Sequence, residues 1–465
     1  MARIKIWQKI AAVGVLAAAL TSGPMVFGQT ASGVAPAVGK VEWSVLRQPI
    51  VGFGGSGAFG QAAALESMPA PVRTHILNLL FSTKDGIGLT VLRSLVNDGN
   101  GAEGNGLTIE PAPGQWDWNI LPDAQIWLMQ EAMKYGVKTL MSTPWSPPAW
   151  MKANDSVEGG PGETNNVLLP KYYHAYAVYL ANYVNGYWTH FHIRITDISV
   201  QNEPDQNQTY ASCVWTPEQL KTFIQNDLGP VFQAYHVKAK VIMPEQSFWG
   251  EQYAVPTLED PKAARYVQII AAHGYGGTIE PLTLAEKEHK QVWETEDSTF
   301  TPDNPSIEDG VQWADTINQY LTVADVSVWN YWWLVDEQTS DNEGLINILG
   351  PTQYVVNKRL YTLGNFSRFI RPGYHRILST INPAPGIAMS AYKNAQGTFA
   401  VVVINSTRTP QPFELTGLPD ATRLVTPYVT SATQNLAKVS PISVEQGAFR
   451  TTLPAMSVTT FVGHA

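Results

Sequence analysis

Two glutamates, each closing a β-prone run, are the residues of this chain whose type and placing point most directly to chemistry. The first ends the stretch Ile198-Ser199-Val200-Gln201-Asn202-Glu203-Pro204-Asp205, an apolar run that finishes in an Asn-Glu pair and meets a proline at once. Strand propensity carries through Ile198 and Val200, and Pro204 cannot donate to a ladder, so a strand is expected to end near Glu203. The second ends Gln291-Val292-Trp293-Glu294-Thr295-Glu296, with the same pattern. Parallel α/β folds keep their chemistry at the C-terminal rim of the sheet. Two carboxyl groups at that rim are what cleavage of a glycosidic bond requires; in a retaining enzyme they stand about 5–5.5 Å apart, one as acid/base and one as nucleophile. Pairing two acids so closely raises the pKa of one, which keeps its proton and serves as the acid. A single glutamate at a strand end reads equally well as a rim ion pair; the pair in this order reads as catalytic. Glu294 competes with Glu296, because alternation puts it on the same face two residues deeper.

The elements that must position this pair alternate along the chain. β-prone runs cover 51–56, 89–96, 138–143, 195–203, 240–245, 269–275, 291–296 and 326–333. Between them, stretches such as 123–135, 172–187 and 216–235 carry apolar residues at helical spacing. Thr216-Pro217-Glu218 is a well-marked helix start, with Thr as N-cap, Pro at the first helical position and an acid in the first turn. Eight β-then-α units predict an α/β fold of the (β/α)8 TIM-barrel type over 51–372. A doubly wound open sheet is the alternative, but Gly52-Phe53-Gly54-Gly55 lacks the third glycine and the acidic partner of a dinucleotide fingerprint. Past Pro372 the pattern turns to short alternating runs, 387–392, 398–404 and 457–462, separated by Gly, Pro and Asn. That predicts an all-β sandwich over 373–465, to which a strand within 41–50 is expected to add.

Arg3, Lys5 and Lys9 followed by an apolar stretch over 10–20 read as a signal peptide over 1–28, too short to span a bilayer, so the protein is expected to be secreted or periplasmic. With one cysteine, Cys213, an exported chain has no internal disulfide and relies on its core. The net charge of −9 leaves no basic patch for phosphates and argues against nucleic acid. Charged residues are only 15% and aromatic residues 11%, with 15 Trp and 19 Tyr; those rings not used in the core suit the flat faces of pyranoses.

Asn202-Glu203-Pro204, Ser142-Thr143-Pro144-Trp145-Ser146-Pro147-Pro148-Ala149-Trp150-Met151-Lys152 and Phe366-Ser367-Arg368-Phe369-Ile370-Arg371-Pro372-Gly373-Tyr374 together resemble glycoside hydrolase family 30, from about residue 51 to the C-terminus. The resemblance implies a retaining barrel fused to a side β-sandwich, with Glu203 as acid/base and Glu296 as nucleophile. Supporting expectations follow. Arg93 is expected to pair with Glu296, or else only to close a rim salt bridge. Asn202 is expected to hydrogen-bond the sugar 2-hydroxyl. Trp145, Tyr275 and Trp332 are expected to line the subsite beside the cleaved bond, with Tyr275 donating to the nucleophile. Of Trp332 and Trp333, one should face away. His273, beside Tyr275, is a further candidate for substrate binding.

No cofactor and no metal is expected. His190-Phe191-His192 has the spacing of a metal pair, but it falls before the fourth run, away from the active rim. The expected partner is a polysaccharide or oligosaccharide, acted on by a monomer without a membrane anchor. The resemblance looks closest to the endo-xylanase and related polysaccharide-cleaving branches, so an endo-β-1,4-xylanase-like enzyme not dependent on glucuronate is expected. Glucuronoxylan-specific members carry an Arg just after the Trp-Trp of the eighth strand, where this chain has Leu334-Val335-Asp336-Glu337, two acids expected to repel a glucuronate. Alternatives are an endo-β-1,6-galactanase or glucanase, an exo-acting β-glucosidase, β-xylosidase or glucosylceramidase, and, in another class, a non-catalytic carbohydrate-binding protein.

Overall fold

The structure, a computed structural model, describes residues 35–338 and 340–465; the leader expected over 1–28 lies outside the described residues. After β1 (Ala37–Pro49), the apolar runs become β2 (Gly52–Ser56), β3 (Val91–Leu95), β4 (Thr139–Thr143), β5 (Asp197–Ser199), β6 (Lys240–Gln246), β7 (Ile269–Ala272), β8 (Gln291–Asp297) and β9 (Val328–Asp336). β2 to β9 pair in chain order, all parallel, and β9 pairs with both β8 and β2. The sheet therefore closes into an eight-stranded barrel, not an open doubly wound sheet. Helices cover one face of each strand and barrel side chains the other, so the strands are buried on both faces and read as near-continuous apolar runs. Val91, Met141, Ile242, Ile269, Ala271, Trp293 and Val328 pack together inside the barrel as an apolar cluster.

Local signals place the helices. Asp123 caps the helix Ala124–Lys134, accepting from Ile126 N at 3.0 Å. Thr216 opens Pro217–Phe223 with a reciprocal capping box to Gln219. The single helix expected over 216–235 is in fact two short α-helices joined by a π turn, Ile224–Leu228, which shifts the buried face partway along.

β10 (Gly344–Gly350) and β11 (Gln353–Val356) extend the barrel sheet beyond β9. The side sheet holds β1 together with β12 (His375–Ser379), β13 (Ile387–Lys393), β14 (Thr398–Asn405), β15 (Gln411–Thr416), β16 (Leu424–Thr430), β17 (Ala437–Lys438), β18 (Ile442–Ser443), β19 (Phe449–Leu453) and β20 (Ser457–His464). β1 joins its two halves: its start runs parallel to β15, and after irregular register its remainder runs antiparallel to β12. Met389, Val401, Val403, Phe413, Phe449 and Phe461 fill the space between the halves. The opposite face, with Tyr392, Val402, Ile404 and Val458, joins the barrel core. Two barrel helices, Ile307–Thr322 and Lys358–Ser367, lie against it, and Asn365 exchanges hydrogen bonds with Thr460 at 2.6 and 3.0 Å. Among the described residues no helix is long and apolar enough to cross a membrane.

Candidate active site

Glu203 reaches the rim by leaving the ladder. β5 stops at Ser199, four residues before the expected end. The chain beyond it stays tied to its neighbours through Asn202 N to Pro144 O (2.8 Å) and Glu203 N to Glu245 O (2.9 Å). Gln201 fixes this departure, donating through Nε2 to Trp145 O (2.6 Å) and Asn202 O (2.8 Å). Glu203 itself takes a left-handed backbone (φ +41°), which turns the chain at the rim. Glu296, by contrast, lies within β8.

The two carboxylates meet over the end of the barrel. One oxygen each from Glu203 and Glu296, and a ring nitrogen of His273, all lie within 4.8 Å of one another. Arg93, fully buried on β3, hydrogen-bonds Glu296 Oε2, and its other arm donates to Asn202 Oδ1 at 2.6 Å. Its guanidinium lies over the rings of Trp145 (4.5 Å) and Trp332 (5.6 Å). Arg93 thus pairs with Glu296 in the barrel interior rather than closing a rim salt bridge. Tyr275 donates its hydroxyl to Glu296 Oε1 at 2.8 Å. His273 stands with Nδ1 3.0 Å from Glu203 Oε1 and 3.9 Å from Glu296 Oε2.

The two glutamates have different surroundings. Burial raises the pKa of Glu203, and the Glu296 charge adds to that; His273 offsets part of it. Burial alone would lower the pKa of His273, but the charges of Glu296, Glu203 and Glu245 reverse this and push it up to about 10. Glu296 is held by a guanidinium on one carboxylate oxygen and a hydroxyl on the other. Glu294 belongs to a different environment. It is fully buried, both its oxygens accept backbone N–H groups (Glu296 at 2.7 Å, Asn330 at 3.1 Å), and burial drives its pKa well up. It braces the backbone that carries Glu296.

Aromatic rings wall the site. Trp145, Trp332, Trp333 and Phe59 form one cluster, with Trp145 5.7 Å from Trp332 and Phe59 5.3 Å from Trp145. The expectation that Trp332 and Trp333 face apart is wrong: their rings stack at 5.1 Å and 22°. The register between β2 and β9 slips between Gly54 and Ser56, and this irregularity breaks the alternation at the paired end of β9. On the other side Phe300, 73% exposed, stacks on Tyr275 at 5.5 Å.

One further expectation changes. Asp336 does not face outward: its residue is fully buried at the end of β9, and burial raises its carboxyl to about 7, so only Glu337 of that pair is exposed. His190 and His192 are exposed at the end of the helix that precedes β5, the end of the strand away from Glu203, and the His190 ring stacks on Trp118 at 4.5 Å. The donor set able to take a cation is instead Glu203, His273 and Glu296, yet the Arg93 charge on Glu296 opposes one.

Glu245 went unnoticed in the sequence. It is fully buried, 3.1 Å from Arg93 Nη2 and 3.7 Å from His273 Nε2, and accepts from Thr143 Oγ1 at 3.0 Å. Its signal was present, since the run 240–245 ends in a carboxylate just as those of Glu203 and Glu296 do. Phe59 and Phe300 sit in loops, where no period marks them.

The chain matches the family model "Glycosyl hydrolase family 30 TIM-barrel domain" over residues 50–299 and "Glycosyl hydrolase family 30 beta sandwich domain" over 373–461. It is 28% identical over 437 residues to glucuronoxylanase XynC of Bacillus subtilis, covering 91% of this chain and 90% of that one. Among solved structures, the catalytic domain of a GH30 xylanase C from Talaromyces cellulolyticus superposes with a TM-score of 0.78 at 30% identity, over 92% of this chain and all (100%) of the other. The subfamily 8 xylanase Xyn30A of Clostridium acetobutylicum gives 0.75 at 28%, over 92% and 100%. A closed barrel, a side sandwich shared with β1, two rim carboxylates and these matches lead to one conclusion: the chain belongs to glycosyl hydrolase family 30 and is a glycoside hydrolase, acting on O-glycosyl bonds.

Proposed function

We propose that this protein is a secreted, retaining endo-β-1,4-xylanase that does not depend on glucuronate, with Glu203 as acid/base and Glu296 as nucleophile. The observation that supports this best is the spacing of the pair, whose nearest oxygens lie within 4.8 Å. Roughly 5–5.5 Å suits a double displacement, whereas an inverting enzyme needs roughly 6.5–9.5 Å to admit a water between its carboxyls. In the first step Glu296 attacks the anomeric carbon, the glycosidic C–O bond breaks and the Glu203 proton passes to the leaving oxygen. In the second step Glu203 takes a proton from water, the water oxygen bonds the anomeric carbon and Glu296 leaves as carboxylate. Asn202 spends its Oδ1 on Arg93, and its Nδ2 has no protein partner among the described residues, so it can serve a substrate hydroxyl. The aromatic walls supply flat faces for pyranose rings.

Xylan is the first substrate because the relatives named above are described as a glucuronoxylanase and xylanases. Export rests on the basic, then apolar, start of the sequence. Purified enzyme should release reducing ends from linear xylan, with internal cuts visible by product sizing and the β-anomer forming first by proton NMR. First release of the α-anomer would overturn the retaining assignment. Activity confined to β-1,6-linked galactan or glucan would overturn the substrate.

A further inference from the structure

Glu245 has no part in a two-carboxylate mechanism, yet the cluster is built around it. It lies on β6 directly after the peptide Met243-Pro244, in a left-handed conformation (φ +53°) that turns it into the barrel. Resting on the reading of Glu203 as acid/base, we propose that Glu245 is a positioning residue: a third carboxylate, set between Arg93 and His273, whose charge lets Glu203 serve as the acid beside two cations.

The charges around it make the case. Arg93 from β3 and His273 from the end of β7 both face Glu245, at 3.1 and 3.7 Å, and Thr143 of β4 donates to it at 3.0 Å. His273 also faces Glu203 at 3.0 Å and Glu296 at 3.9 Å. The remaining titratable neighbours contribute little charge. Burial raises Glu294 far up and Asp297 to about 8, and burial likewise keeps the Tyr275 hydroxyl neutral. Asp205, engaged with Ser247 and Gln206, adds the smallest upward push on Glu203. With Glu203 read as the acid and Glu296 as the nucleophile, the working state sets two cations, Arg93 and His273, against two carboxylates, Glu245 and Glu296. Glu245 is held down to about 2, because burial, which would raise it, is outweighed by Arg93 and His273.

Glu203 and His273 share two protons in this state. Without Glu245 the same state carries a net positive charge, and the cluster returns to neutrality by losing one proton from that pair. The macroscopic pKa of the pair must fall, whichever of the two residues gives the proton up. Once one proton is gone, an imidazolium beside a Glu203 carboxylate is the favoured arrangement, and no acid remains for the leaving group. An opposite charge within about 4–6 Å is worth about 1–3 pKa units.

The test is kcat/KM against pH for native enzyme, E245Q, E245D and E203Q, on an unactivated oligosaccharide and on an aryl glycoside with a good leaving group. On the oligosaccharide, the basic limb of E245Q should move down by about 1–3 pH units, E245D should restore it, and the activated substrate should hide the shift. An unmoved basic limb in E245Q, or an equal loss on both substrates at every pH, would overturn the role and leave Glu245 a structural prop. E203Q reports separately on the underlying reading: if it cleaves the oligosaccharide normally, the acid/base assignment itself fails. Should E245Q not fold, 15N NMR of His273 in the native enzyme decides. A doubly protonated ring at neutral pH is expected, and a neutral ring overturns the inference.

Discussion

The Tyr275 hydroxyl donates to Oε1 of Glu296 at 2.8 Å, the oxygen that Arg93 leaves untouched. Each oxygen of that carboxylate thus has its own donor, one neutral and one charged. When Glu296 bonds the anomeric carbon, one oxygen becomes an ester oxygen and its donor must let go. A neutral hydroxyl that burial keeps protonated can release at less cost than a guanidinium.

Tyr275→Phe follows from this relationship. Losing a hydrogen bond to a charged group costs about 1.5–3 kcal/mol, a fall of about 10- to 150-fold in kcat/KM. Tyr275 is only half-buried, so the melting temperature should hardly move. An unchanged kcat/KM would mean that Arg93 alone orients the carboxylate.

The two catalytic candidates should fail differently. Glu296→Gln is expected to abolish turnover on every substrate. Glu203→Gln should still form the glycosyl-enzyme from an aryl glycoside with a good leaving group, giving a burst followed by slow turnover, because only a poor leaving group needs the proton. Stopped-flow release of the aryl alcohol measures this. Near-normal rates for Glu296→Gln would shift the nucleophile role to Glu294, which its two backbone hydrogen bonds oppose.

Most of this arrangement was legible as period and punctuation. Eight runs gave the barrel, and the change of pattern after Pro372 gave the sandwich, because burial on two faces and on one face leave different patterns. Arg93 lies within β3, Glu296 near the end of β8, and Glu203 and Tyr275 a few residues beyond β5 and β7, so locating the strands located them. What escaped depends on backbone irregularity or on long-range packing. The left-handed turn at Glu203, the slipped register that stacks Trp332 on Trp333 and the inward turn of Asp336 have no period. Glu245 was missed for a different reason: its meaning comes from Arg93 and His273, which lie far from it in sequence.

Dialysis against a chelator should leave activity unchanged, because the proposed chemistry uses no Lewis acid. Added zinc should inhibit only at concentrations high enough to overcome the Arg93 charge on Glu296. Glu203, His273 and Glu296 offer three donor atoms within 4.8 Å, and a zinc ion there would displace the Glu203 proton and the His273 charge. Inhibition should weaken at lower pH, where protons compete for the same donors. Activity lost to the chelator and restored by zinc or manganese would sink the two-carboxylate mechanism.

The loop after β9 carries the last prediction. Residues 335–343 hold four acids, Asp336, Glu337, Asp341 and Glu343, and no Lys or Arg. Burial raises Asp336 to about 7 and Glu343 to about 8, so repulsion of a glucuronate falls mainly to exposed Glu337 and part-exposed Asp341, and the stronger effect is the missing cation. A bidentate arginine contact to a carboxylate is worth about 1.5–3 kcal/mol, and without it a preference of about 10- to 150-fold for glucuronate-bearing chains has no source here. The enzyme should cut linear arabinoxylan at least as well as glucuronoxylan. Because Glu337 is exposed, added salt should screen its repulsion and narrow any deficit on glucuronoxylan. Products that all carry a glucuronate at one fixed position would require a cation from outside this loop and would refute the prediction. Cleavage of neither xylan would move the β-1,6-linked polysaccharides to first place.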